Sequence, residues 1–204
     1  MDMRTLSLLS RRNLLAGAAA TLGVAAVPQA TFALDVASAR SLIDGAVGDV
    51  NRIINSGGSE AAMLGAFEKL FARYADVPTI ARSALGPAAR SASKGDLAAF
   101  TKSFQGYIAR KYGRRFREFI GGTIEVTDAR PIKTYFEVIS VAYLRGESPF
   151  DVRWHVADKS GRDLFFNIII EGVNMLASER AEIGAMLDRR NGDITALIVD
   201  LKQA

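Results

Sequence analysis

The chain carries a single histidine, His155, with Ser148 and Asp151 near it in sequence. A serine triad is the one nucleophile–base–acid set it could assemble. A triad needs a defined geometry, and nothing around these residues resembles the sharp turn that presents a nucleophilic serine. A lone histidine excludes multi-histidine metal sites, and the absence of cysteine excludes disulfides, thiolate zinc sites, iron–sulfur clusters and a cysteine nucleophile. Glu118, Glu125, Glu137 and Glu171 stand singly, without the pairing that acid–base hydrolysis needs. The sequence therefore assigns no catalytic residue, no metal and no cofactor. His155 reads first as a structural, hydrogen-bonded or surface histidine on the strand face opposite Trp154 and Val156. The other polar constellation is cationic: Arg110, Arg114 and Arg117 share one face of a predicted helix, with Lys111 and Arg115 beside them. Cations near a helix C-terminus are favoured by its dipole in any protein. The functional alternative is a patch that docks an acidic partner or lipid phosphates.

These residues must be positioned by a core, and 49% hydrophobic residues in 204 suffice to build one. Ala39, Ile43, Val47, Val50 and Ile54 recur at helical steps, with Gly57-Gly58 beyond them as breakers. Ser59 starts a second helix that carries Met63, Phe67, Leu70 and Phe71 and ends near Tyr74. Pro78 opens a short turn with Ile80 and Leu85. A long helix from about Asp96 towards Phe119 puts Phe100, Phe104, Tyr107 and Ile108 on one side, before Gly121-Gly122. The period then becomes extended, which predicts strands near 123–129, 134–144, 150–157 and 162–171, the last two joined by a hairpin at Asp158–Gly161. Two short helices close the chain, with Gly192 ending one and Asp193 capping the next. Helices, then a block of strands, then helices predict an α+β fold: a four-stranded antiparallel sheet packed against N-terminal and C-terminal helices.

The last strand, Leu164 to Ile170, is apolar in both of its alternating sets, so neither face can be left in water cheaply. Helices on both faces would cover it, and so would an apolar ligand. Trp154, Val152, Ile139 and Val141 add to this excess, as do the large side chains of the long helix. If they wall a cavity between sheet and helices, its lining is Leu70, Ile80, Phe100, Phe104, Tyr107, Ile139, Val141, Val152, Trp154, Phe166, Ile168 and Val173.

The N-terminus reads as an export signal. Ser10-Arg11-Arg12-Asn13-Leu14-Leu15 leads into an apolar stretch from Leu14 to Ala26, then Pro28 and the small-residue end at Ala33. The stretch would span about 20 Å as a helix, against roughly 30 Å of bilayer core, so it makes a poor membrane span. Paired arginines predict the twin-arginine route, with an ordinary secretory signal as the alternative. Cleavage near Ala33 would leave residues 34–204 as a single domain and remove three arginines and one aspartate, lowering the net charge from +4 to +2. A near-neutral product argues against nucleic acid as a partner.

The segment Leu164-Phe165-Phe166-Asn167-Ile168-Ile169-Ile170-Glu171-Gly172-Val173-Asn174-Met175-Leu176, with Arg180 after it, resembles the strand-to-helix signature of the MlaC, or toluene-tolerance, family of periplasmic lipid carriers. Ile80-Ala81-Arg82, Leu85-Gly86, Phe100, Phe104 and Tyr112 resemble the family's middle section, and Asn191-Gly192-Asp193 to Leu201 its end. Asp163, Asn167, Asn174 and Glu179 depart from the family's usual Trp, Asp, Ser and aromatic residue, and the pattern is compatible with its hopanoid-associated branch. The resemblance implies a periplasmic protein that binds phospholipid or a hopanoid-like lipid. It implies as partners an inner-membrane ABC lipid transporter complex and an outer-membrane lipoprotein complex. Two other readings stand beside it: a small enzyme on a cone-shaped α+β fold using His155 or a buried carboxylate as general base, and an adaptor with a solid core.

Overall fold

Helix formation begins at capped positions. A computed structural model describes residues 34–117 and 119–204, with 116 and 117 in backbone only. The predicted export signal and the Arg117 side chain thus lie outside the described residues. Asp35 caps α1 (Val36–Ile54) through Ser38 N, and Ser59 caps α2 (Glu60–Tyr74) through Ala62 N. Asp76 caps α3 (Val77–Leu85), which carries proline in its first turn. Ser93 starts α4 (Lys94–Gly113) slightly earlier than the apolar spacing predicts, because its Oγ accepts from Asp96 N and donates to the Asp96 carboxylate. A short 3₁₀ turn, Arg114–Arg117, continues α4. Asn174 caps α5 (Met175–Arg189) and Asp193 caps α6 (Ile194–Gln203), the latter after Gly192 at φ 82°.

The strands β1 (Thr123–Ile132), β2 (Tyr135–Tyr143), β3 (Phe150–Ala157), β4 (Leu164–Ile170) and β5 (Val173–Asn174) form one antiparallel meander in chain order. The α+β expectation holds, with five strands in place of four. The added strand comes from Glu171-Gly172, whose φ values of 49° and 80° make the two-residue turn that pairs Ile170 with Val173. In sequence this turn looks like the end of a long strand, because glutamate is an unusual occupant of a left-handed position.

Register decides which side chains face the helices. Ser140 pairs with Val152, Val138 with Trp154, and Trp154 with Ile168, so these share one face. Ile139 and Val141, opposite Arg153 and Asp151, fall on the other. Helix α1 lies against β1 with Ala39, Ile43, Ala46, Val47, Val50 and Ile54 buried. Asn51 fastens it by accepting from Ile124 N at 3.1 Å and donating to Ile124 O at 3.0 Å. Helix α2 packs on α1 and α4, α4 on α6, and α3 on α5 and β4. Among the described residues, no helix is long and apolar enough to cross a membrane.

Candidate functional site

Between the sheet and the helices the core does not close. A cavity of about 490 Å³ remains, within the range of roughly 300–1,000 Å³ usual for ligand pockets. Its floor is the sheet: Ile124 of β1, Phe150, Val152 and Trp154 of β3, and Phe165, Phe166, Ile168 and Ile170 of β4. Its walls are Val50, Phe67, Leu70, Phe71, Ile80, Ile108 and Tyr112 from α1 to α4, and Met175, Leu176 and Glu179 from α5. The exposed residues Arg115, Glu147, Glu171 and Val173 also border it and mark where it meets water.

Two aromatic contacts hold the floor in shape. The Phe165 ring stands edge-on to Trp154 at 5.3 Å and lies 6.3 Å from Phe71. Trp154 Nε1 donates to Ser140 Oγ at 2.9 Å, and Ser140 Oγ is 3.1 Å from Val152 O, so the polar atoms beneath the floor are satisfied.

Of the lining expected from sequence, Leu70, Ile80, Val152, Trp154, Phe166, Ile168 and Val173 do border the cavity. Phe100, Phe104 and Tyr107 do not. They are fully or almost fully buried on a stretch of α4 that packs against neighbouring helices, with Phe100 and Phe104 stacked at 5.7 Å. Ile139 and Val141 are half-buried on the opposite face of the sheet, where register puts them. Phe67, Phe71, Ile108 and Phe165 were absent from that expectation, although all but Phe165 sit on the apolar stripes that predict α2 and α4.

The arginine face also divides. Arg110 donates from Nε to Ala204 O at 2.8 Å and from Nη2 to Leu201 O, tying α4 to the last turn of α6. Arg114 is exposed. Beside them Lys111 donates to Glu179 Oε1 at 2.7 Å and to Glu182, and Tyr107 donates to Glu182 at 2.6 Å. Tyr112 donates to Glu179 Oε1. Burial first, then the Glu179 carboxylate, holds the Tyr112 hydroxyl well above the usual phenol range. Burial works against the Lys111 charge, but the two glutamates outweigh it and raise its pKa.

His155 is not among the cavity-lining residues. It is 8% exposed, with Nε2 3.6 Å from Glu137 and Nδ1 3.3 Å from Asn167 Nδ2, and Tyr135 lies against its ring at 4.5 Å. Glu137 is in turn paired with Arg130. The histidine is thus a hydrogen-bonded structural residue, and a mechanism that needs it as a base inside the cavity loses its geometry. Burial lowers its pKa, against the pull of Glu137. A base whose folded pKa is depressed binds protons more readily when unfolded, so stability falls as pH drops below about 6.5. Replacing His155 with Leu is expected to flatten the stability profile between about pH 6.5 and 5, above the range where carboxylates titrate, as read by urea unfolding at each pH. A slope as steep as in the native protein would refute this assignment.

Among the described residues, no group of three His, Asp or Glu could hold a metal ion. The same chain matches the family model described as "MlaC protein" over residues 45–203. It is similar in structure to a phospholipid-binding protein from Ralstonia solanacearum, solved in complex with a phospholipid. The TM-score is 0.69 at 19% identity, over 81% of this chain and 95% of that one.

Proposed function

The chain belongs to the MlaC family, and on that premise we propose that it is a periplasmic lipid-binding shuttle rather than an enzyme. It carries phospholipid, or a hopanoid-like lipid, between an outer-membrane lipoprotein complex and an inner-membrane ABC lipid transporter complex. It reaches the periplasm through the twin-arginine-type signal, which is removed near Ala33. The observation that carries this reading is the apolar cavity between sheet and helices, bordered at its exposed end by Arg115, Glu147, Glu171 and Val173. Each methylene removed from water contributes about 0.8 kcal/mol, so an acyl chain held in such a space crosses an aqueous gap without exposing its length. No bond needs to be made or broken.

The test is transfer. Donor vesicles with labelled phospholipid and acceptor vesicles without it are separated by a membrane that passes the protein and retains vesicles. Label reaching the acceptors in proportion to protein is expected, and transfer no faster than without protein would sink the proposal. Docking is separable from loading. Arg114, exposed and outside the cavity, is the position to change: Arg114→Glu should leave lipid loading intact and slow delivery to a partner complex about tenfold at low salt, because rim charges act on encounter rates. Equal delivery by both proteins would remove Arg114 from the docking surface.

A further inference from the structure

The cavity wall is not apolar throughout. Glu179, on α5, borders the cavity and is only 3% exposed. Its Oε1 accepts from Lys111 and from the Tyr112 hydroxyl. Its Oε2 is also buried and has no hydrogen-bond partner among the described residues. Tyr112 has one proton to give and gives it to Oε1, while the Lys111 ammonium is shared with Glu182. A buried carboxylate oxygen without a donor is costly, and the space beside this residue is the cavity itself.

Building on the lipid-carrier reading, we propose that Glu179 is a specificity-determining residue. Its Oε2 accepts a hydrogen bond from an N–H or O–H group in the polar part of the bound lipid, so the cavity selects lipids that carry such a donor close to their acyl chains. A phosphate is repelled by this carboxylate and suits the exposed Arg115, which also borders the cavity. The donor is either an ammonium or a hydroxyl group. Tyr112 and Lys111 hold the carboxylate in position and do not themselves meet the lipid donor.

The geometry supplies a near-isosteric probe. In Glu179→Gln the Lys111 ammonium can only donate, so it holds the amide oxygen at the Oε1 position, where the Tyr112 hydroxyl donates as well. The NH₂ group then stands where Oε2 was, and an acceptor becomes a donor. The delipidated protein is offered acyl-matched phosphatidylethanolamine, phosphatidylglycerol and phosphatidylcholine, which carry an ammonium, hydroxyls and neither. The native protein should bind one or both donor lipids about tenfold more tightly than phosphatidylcholine. A preference for phosphatidylethanolamine alone identifies the ammonium, one for phosphatidylglycerol alone identifies the hydroxyl, and one for both shows that either donor serves. Glu179→Gln should lose the preference while still binding phosphatidylcholine, and Glu182→Gln, on the exposed side of the cluster, should keep it. Equal binding of all three lipids by the native protein, or an undiminished preference in Glu179→Gln, overturns the assignment while leaving the carrier intact. Failure to bind any of the three overturns the reading of phospholipid as the cargo and this inference with it.

Discussion

Glutamate in place of Ile168 is expected to abolish lipid retention while leaving the domain folded. Ile168 is half-buried on β4, opposite Trp154 in register, and faces the cavity. In the empty protein its carboxylate would lie in a space large enough for water, so the folded state has little desolvation to bear. An entering acyl chain would expel that water and leave the charge unpaired. The cost is at least ~4 kcal/mol, about a thousandfold in affinity. Bound lipid extracted from the purified variant, with circular dichroism as the check on folding, reads both halves of the expectation. Ile168→Leu, which keeps volume and polarity, should retain lipid. A folded Ile168→Glu protein with a native lipid complement would show that the lipid lies elsewhere.

Removing the Trp154 ring should cost about 3–5 kcal/mol of stability, the largest loss expected for one substitution in the sheet. Trp154 is 6% exposed, donates to Ser140 and meets Phe165 edge-on. Trp154→Ala would discard this contact area, leave the fully buried Ser140 hydroxyl without its donor and enlarge a cavity already present. Because the site borders open space, its walls can relax only partly, and the protein should melt about 6–20 °C lower. Urea unfolding measures the free energy, and a loss below about 1 kcal/mol would contradict the floor described for the cavity.

The helices and the main strands were legible because local chemistry writes them: Ser59 and Asp193 cap, Gly192 adopts the left-handed conformation, and alternation marks β1 to β4. Partner choice was less legible. Phe100 and Phe104 form as apolar a stripe as Ile108 and Tyr112 on the same helix, yet only the second pair reaches the cavity. Periodicity assigns a face of a helix but not the neighbour that covers it. On β2, Ile139 and Val141 are bulkier than Ser140 and Ala142, yet the smaller set is the one that faces the helices. Trp154 needs an acceptor for its indole N–H, so Ser140 is fully buried and the strand takes that orientation. The role of Glu179 depends on Lys111 and Tyr112, which lie 68 and 67 residues away in the chain. No local pattern could signal it.

On the proposed function, the space between sheet and helices holds a lipid. The most direct measurement is mass spectrometry of the organic extract of protein purified from cells that retain their own membranes. A membrane lipid bound in near-stoichiometric amount is the expected result. Protein that carries no lipid, and takes none up from vesicles after purification, would contradict the claim.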